Sequence, residues 1–163
     1  MPLAIRELTC ADLPALAALL VEVTNQHAEA MPFRYRTITA DADINALLQG
    51  LLDDDEVVGF GAELTGQLVG YIVGRVAVAP STPLHVPCRW LTINTVVVAA
   101  ACRRQGIGTA LMDAVQVWAE GQDLAYVELS VAEFNTAAIA LYAQLGYTTV
   151  MRRMVRALPH QAG

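Results

Sequence analysis

The stretch Val96-Val97-Val98-Ala99-Ala100-Ala101-Cys102-Arg103-Arg104-Gln105-Gly106-Ile107-Gly108-Thr109-Ala110-Leu111 decides how this chain reads. Its β-branched run predicts a buried strand, a short basic turn follows, and two glycines around one isoleucine open an amphipathic helix. A helix N-terminus presents N–H groups without partners and the positive end of the helix dipole. Glycines at such an entry let an anion approach the backbone, and Arg103 and Arg104 add charge. The stretch reads as an anion cradle, with a pyrophosphate as the expected occupant.

Upstream, Leu3 to Leu8 predicts an opening strand, and a helix starting near Asp12 puts Pro14 in its first turn, where a missing N–H costs little. That helix carries Leu16, Leu19, Leu20 and Val23 at helical spacing. Asn25 to Thr39 is a polar, aromatic connector with His27, Glu29, Phe33, Arg34, Tyr35 and Arg36, expected to act as a lid over a second substrate. Asp41 to Leu52 predicts a second helix. Val57 to Leu64, Thr65-Gly66 and Gln67 to Ala79 predict a β-hairpin, and Pro80, Pro83 and Pro87 mark a connector.

Trp90 to Val98 is the next strand, and Gln105 to Glu120 the strongest helix, with Ile107, Leu111, Ala114, Val115 and Trp118 on one face. Leu124 to Val131 predicts a strand, Asn135 to Leu145 a helix stopped by Gly146, and Tyr147 to Leu158 a final strand. Arg152, Arg153 and Arg156 are expected to decorate a solvated face of it. The pattern is mixed α/β, one domain spanning 1–163, with no internal repeat or linker.

Bulk properties narrow the function. With 163 residues, 55% of them hydrophobic, the chain can bury a full core. A net charge of -6 and pI near 4.9 argue against a nucleic-acid or anionic-membrane binder. Three cysteines, Cys10, Cys88 and Cys102, lack metal-ligand spacing and cannot all pair, so no metal is expected and a reducing cytoplasm fits. No signal peptide or membrane-length apolar run is apparent.

Two familiar phosphate motifs are excluded. A P-loop needs Lys then Ser or Thr after its last glycine, whereas Thr109-Ala110 follows Gly108; a dinucleotide fingerprint needs glycine where Leu111 stands. Arg103, Gly106 and Gly108 instead follow a strand and open a helix in the pattern Arg/Gln-x-x-Gly-x-Gly/Ala. This resembles the acetyl-CoA motif of the GNAT N-acetyltransferase superfamily. A second block, Asn135-Thr136-Ala137-Ala138-Ile139-Ala140-Leu141-Tyr142-Ala143-Gln144-Leu145-Gly146-Tyr147, resembles that family's C-terminal signature. The order of elements fits along the whole chain, and the motifs are specific from Val96 onward.

The resemblance implies a GNAT-like fold: a central, mixed but mostly antiparallel sheet flanked by helices. It implies that Val96, Val97 and Val98 flank the pantetheine arm, with the backbones of Val96 and Val98 pairing with it. Arg103, Arg104, Gln105, Gly106, Ile107, Gly108 and Thr109 would surround the pyrophosphate. Asn135 and Ala138 would line the pantetheine on the following helix, where Ala137 and Ala140 also leave room. Asn135 is equally a natural helix N-cap. Tyr142, two turns after Asn135, is implied as the general acid for the departing CoA thiolate.

The implied reaction is direct attack of a primary amine, of a small molecule or peptide, on acetyl-CoA, with a main-chain N–H of the Val96–Val98 strand steadying the oxyanion. A base must first deprotonate the amine. Family members often carry an acid on this strand, whereas here Thr92 and Asn94 stand at those positions. His27, Glu29 and Glu63 are substitutes that spacing does not separate. A low-turnover acyl-CoA-binding module and a transferase using another acyl-CoA are the alternatives, and a homodimer is left open.

Overall fold

The computed structural model describes residues 3–156 and 158. Five strands form one sheet in the order β1 (Ala4–Glu7), β2 (Val57–Leu64), β3 (Gln67–Ala79), β4 (Cys88–Val98) and β5 (Val127–Leu129). The first four pair antiparallel and β4–β5 pair parallel, which is the mixed, mostly antiparallel sheet expected. Thr65 and Gly66 both take positive φ, 54° and 80°, as a two-residue hairpin turn matched to strand twist requires.

Helices cover both faces. Helix α3 (Ile107–Gly121) lays Ile107, Leu111, Met112, Val115 and Ala119 on one face, against Val58, Ala62, Ile72, Leu91 and Ile93. Helices α1 (Leu13–Ala30) and α2 (Ala42–Leu52) cover the other face, where Leu16, Leu19 and Leu48 meet Tyr71, Val73 and Val97. Helix α4 (Thr136–Gln144) follows β5, and its Tyr142 packs on the α3 side. No helix among the described residues is long and apolar enough to cross a membrane.

Four sequence expectations need correction. Helix α1 runs on to Ala30, taking in the first part of the expected connector, because no residue breaks it before Pro32. Proline disfavours helical backbone in the residue before it, and Met31 leaves the helix at φ -136°, ψ 66°. Strand β5 is three residues long rather than eight. Tyr147 to Arg156 forms no strand, and neither does Leu158. Finally, Gly74 pairs with Ile93 but Val73 pairs with Thr95, so Asn94 is the extra residue of a bulge in β4. Asn94 therefore falls out of the alternation that would have put it level with Thr92.

The N-terminal corner is tied down by charge. Asp12, 7% exposed, receives two guanidinium bonds from Arg6 at 2.9 and 2.8 Å and the Thr9 N–H at 2.8 Å. The hydrogen-bonded Arg6 guanidinium holds the Asp12 carboxyl down at about 2. Arg6 also binds Glu63 at 2.9 Å, which joins β1 to β2.

Candidate active site

The sheet opens where β4 outruns its neighbour. Strand β5 pairs with β4 only from Leu91 to Ile93, while β4 continues to Val98. Val97 is paired with Tyr71, and the Ala99 N–H donates to the Val69 carbonyl at 2.8 Å. By the two-residue alternation of an antiparallel ladder, residues 95, 97 and 99 bond to β3, and the main-chain groups of Val96 and Val98 face the open side. Their side chains pack toward α3. Val97 is different: its backbone bonds inward and its side chain is buried under α1 and α2.

The slot leads to the N-terminus of α3. Gly106 caps that helix at φ 79° with no capping side chain, and the first helical bond runs from Ala110 N–H to Gly106 C=O at 3.0 Å. The N–H groups of Ile107, Gly108 and Thr109 are thus left for an anion. Arg104 also takes a positive φ, 62°, so Arg104 to Gly106 curls into a concave turn. Nothing lies within 4 Å of a Cβ built on Gly106. A Cβ on Gly108 would instead meet Leu141 of α4 at 3.2 Å, so that glycine serves close helix packing. Ile107 is buried at 3% exposure and offers only its backbone, while the Gln105 side chain is exposed and Thr109 is half-buried.

Arg103 points away from the turn. Its Nε donates to the Val98 carbonyl at 3.0 Å, and its Nη2 donates to Glu22 at 3.1 Å and Gln26 at 3.3 Å. Glu22 also accepts the Ala100 N–H at 2.9 Å. Arg103 therefore ties the end of β4 to α1, and Arg104 is the cation left beside the turn.

Across the slot, Asn135 caps α4 by accepting the Ala138 N–H at 3.2 Å. Tyr142 follows two turns later, its ring half-buried and 5.9 Å from the Tyr147 ring. Burial raises its phenol above the ordinary 10.0 and keeps it protonated. Its hydroxyl makes no hydrogen bond among the described residues.

The sequence reading missed Glu128. This β5 residue stands in register with Thr92, one residue before the strands part. Its Oε1 accepts the Trp90 indole N–H at 2.8 Å and the Thr92 hydroxyl at 3.0 Å. Those bonds place the carboxylate on the α1–α2 face, while Tyr142 lies on the α3 face. A lone glutamate in a strand of uncertain pairing gives no signal in the sequence; Trp90 and Thr92, two apart on one strand face, were the only hint of a shared partner.

The earlier base candidates fall elsewhere. Glu63 is held by Arg6 on β2, two strands from β4. Glu29 is exposed on α1. His27 bonds the Val23 carbonyl through Nδ1 at 2.8 Å and stacks edge-on against Tyr35 and Phe134 at 5.3 and 5.2 Å. Asn25 fastens the connector to α1, accepting the Ile38 N–H at 2.9 Å and donating to its carbonyl at 3.2 Å. His27, Tyr35 and Phe134 thus form an aromatic cluster that joins α1 to the connector after it and to the loop before α4.

Residues 16–147 match the profile of the Acetyltransferase (GNAT) family. The chain belongs to the GNAT acetyltransferase family. An N-alpha-acetyltransferase of Sulfurisphaera tokodaii is 34% identical over 102 residues, 61% of either chain, so the match spans less than two thirds of that relative. A variant of the BH1408 protein of Bacillus halodurans has the same fold at TM-score 0.90 and 22% identity, over 95% of this chain and 99% of that one. AAC(6')-Iy, solved with a CoA bisubstrate analogue, superposes at TM-score 0.74 with 16% identity, over 98% of this chain and all of that one. At such identities these structures speak for the fold, and they share its GNAT architecture.

Proposed function

We propose that this GNAT protein transfers an acetyl group from acetyl-CoA to a primary amine by direct attack. The observation that carries the reading is the juxtaposition of an open β4 edge, an uncapped α3 N-terminus, and Glu128 and Tyr142 on opposite faces of the slot. Pantetheine pairs with the outward Val96 carbonyl and Val98 N–H as an added strand, while Arg103 holds the Val98 carbonyl. The pyrophosphate lies on the Arg104–Gly106 turn and the N–H groups of Ile107 to Thr109.

In the reaction, Glu128 takes a proton from the incoming ammonium, its carboxylate fixed by Trp90 and Thr92. The neutral amine attacks the thioester carbonyl, and the Val96 N–H steadies the tetrahedral oxyanion. The C–S bond then breaks and the electron pair leaves with sulfur. Tyr142 hydrogen-bonds that thiolate. A phenol of pKa 10 or more is a weaker acid than a thiol of about 8.5, so complete transfer is uphill by about 2 kcal/mol or more. Tyr142 therefore eases departure by sharing its proton, and solvent completes the protonation.

The acceptor enters from the α1–α2 face, past His27, Tyr35 and Phe134. The likeness to the N-alpha-acetyltransferase of Sulfurisphaera tokodaii makes a peptide α-amine the first acceptor to test, and the -6 net charge attracts a cationic amine. The test is a screen of amines, small molecules and short peptides, reading release of CoA thiol from acetyl-CoA. Ligand at about 100 times Kd should stabilise the fold by about 2.7 kcal/mol, raising Tm by roughly 5–10 °C. No Tm shift overturns the donor assignment; a shift without amine-dependent thiol release overturns the transferase.

A further inference from the structure

One aromatic pair stands outside both cores. Trp90 on β4 and Tyr126, the residue before β5, stack with ring centroids 5.6 Å apart and planes 15° from parallel. Neither packs in the cluster under α3 or in the cluster under α1 and α2. Tyr126 is 46% exposed and Trp90 is half-buried. Large aromatic side chains stabilise cores and interfaces by burial, and this pair leaves ring area uncovered.

Register places the pair beside the candidate base. Leu91 and Ile93 belong to the α3-side core, so Trp90 and Thr92 lie on the opposite face. On that face Ala77 of β3 stands in register with Trp90 and contributes only a methyl, and Arg75 stands in register with Thr92. Helices α1 and α2 pack on Tyr71, Val73 and Val97, farther along the same strands. Trp90 Nε1 donates to Glu128 Oε1 at 2.8 Å and to the Thr92 hydroxyl at 3.1 Å, so indole and carboxylate share one surface. An indole alone suffices for those bonds. The orientation of Glu128 therefore does not account for the Tyr126 ring.

We propose that the Trp90–Tyr126 face receives the side chain next to the acceptor's amine, and that the acceptor is a peptide with an aromatic or bulky apolar first residue. The inference rests on Glu128 being the base of an amine acetylation. An amine bonded to Glu128 Oε2 lies one side-chain length from the two rings, since Oε1 of the same carboxylate bears the indole. A ring-on-ring contact favours binding by about two- to tenfold beyond the area it buries. Charge argues against an acidic first residue. Glu128 is itself an anion, and the cation of its row, Arg75, is held by Asp54 at 2.7 Å and Glu56 at 3.4 Å.

The test is a fluorescence titration, because the chain has two tryptophans and Trp118→Phe leaves Trp90 as the sole indole reporter. Short peptides identical except for a first Phe, Ala or Glu are titrated into the whole protein in the presence of CoA. The Phe-led peptide should bind roughly tenfold tighter than the Ala-led one and change the Trp90 emission, with the Glu-led peptide weakest. Tyr126→Ala should cut that preference to about twofold or less, and Tyr126→Phe, which retains the ring, should keep it. Equal affinity for the Phe- and Ala-led peptides overturns the proposal, as does a preference indifferent to Tyr126→Ala or a failure of every peptide to bind. Thiol release from acetyl-CoA, read with the same peptides, separates this site from the transfer reaction. Acetylation of all three without preference overturns the aromatic site alone. Preferential binding without thiol release supports the site and overturns the transferase.

Discussion

The Thr92 hydroxyl donates to Glu128 Oε1 at 3.0 Å across the parallel β4–β5 pair, and the Trp90 indole N–H meets the same oxygen at 2.8 Å. Two donors on one oxygen orient the carboxylate and leave Oε2 for a proton from the acceptor. Glu128→Gln keeps the acceptor oxygen but removes the base. We expect kcat to fall by about 10²–10⁴ with acetyl-CoA affinity unchanged. Unaltered kcat would return the base to another group.

Tyr142→Phe should reduce kcat by about 10², the low end for a positioned acid, and leave the acetyl-CoA Kd nearly as it was. The phenol is raised by burial, so it keeps its proton up to and beyond pH 10.0. The pH profile of the native enzyme should accordingly show no alkaline loss from Tyr142 below that value. A descending limb near pH 8 that disappears in the Phe variant would contradict this.

The two glycines of the turn should respond differently. Gly106 needs φ 79°, so Gly106→Val carries about 1–2 kcal/mol of backbone strain and should weaken acetyl-CoA binding sharply. Gly108→Ala places a methyl 3.2 Å from Leu141 Cδ2, the end of a flexible side chain. Its packing cost of about 1 kcal/mol is offset by a gain in helix propensity of similar size. Calorimetric titration with CoA should show near-native affinity for Gly108→Ala; equal losses in both variants would put the anion deeper in the helix.

The Arg6–Asp12 pair sets an acid limit on stability. Asp12 has its folded pKa depressed to about 2 from 3.8, so its contribution is present above pH 4 and vanishes as pH falls from 4 toward 2. With Arg6 39% exposed, the contribution is about 1–2 kcal/mol after screening. Asp12→Asn should therefore melt lower than native at pH 7 and approach it at pH 2. A gap that stays constant with pH would mean the loss is packing rather than charge.

Much of the fold was legible because its signals are local. The periodicity of Ile107, Leu111 and Val115 declares a helix, and Thr65-Gly66 declares a turn, whatever surrounds them. The limits of α1 and β5 were not legible. Asn25 to Ala30 holds no stop signal, and the length of β5 depends on where β4 ceases to accompany it. The final strand failed for a related reason: residues 148–156 have strand chemistry, but a strand exists only where another lends its hydrogen bonds.

The candidate site divides the same way. The sequence alone determined the turn at Gly106 and the cap at Asn135, because each follows from residue type at short spacing on one element. Only the tertiary structure decided the rest: that Val97 faces inward while Val96 and Val98 face the slot, that Arg103 is bound to Glu22, 81 residues away, and that Glu128 stands beside Thr92. Those relationships depend on register, on the Asn94 bulge and on the parting of β4 from β5. They are properties of strands lying side by side, and residue order along one strand does not encode its neighbour.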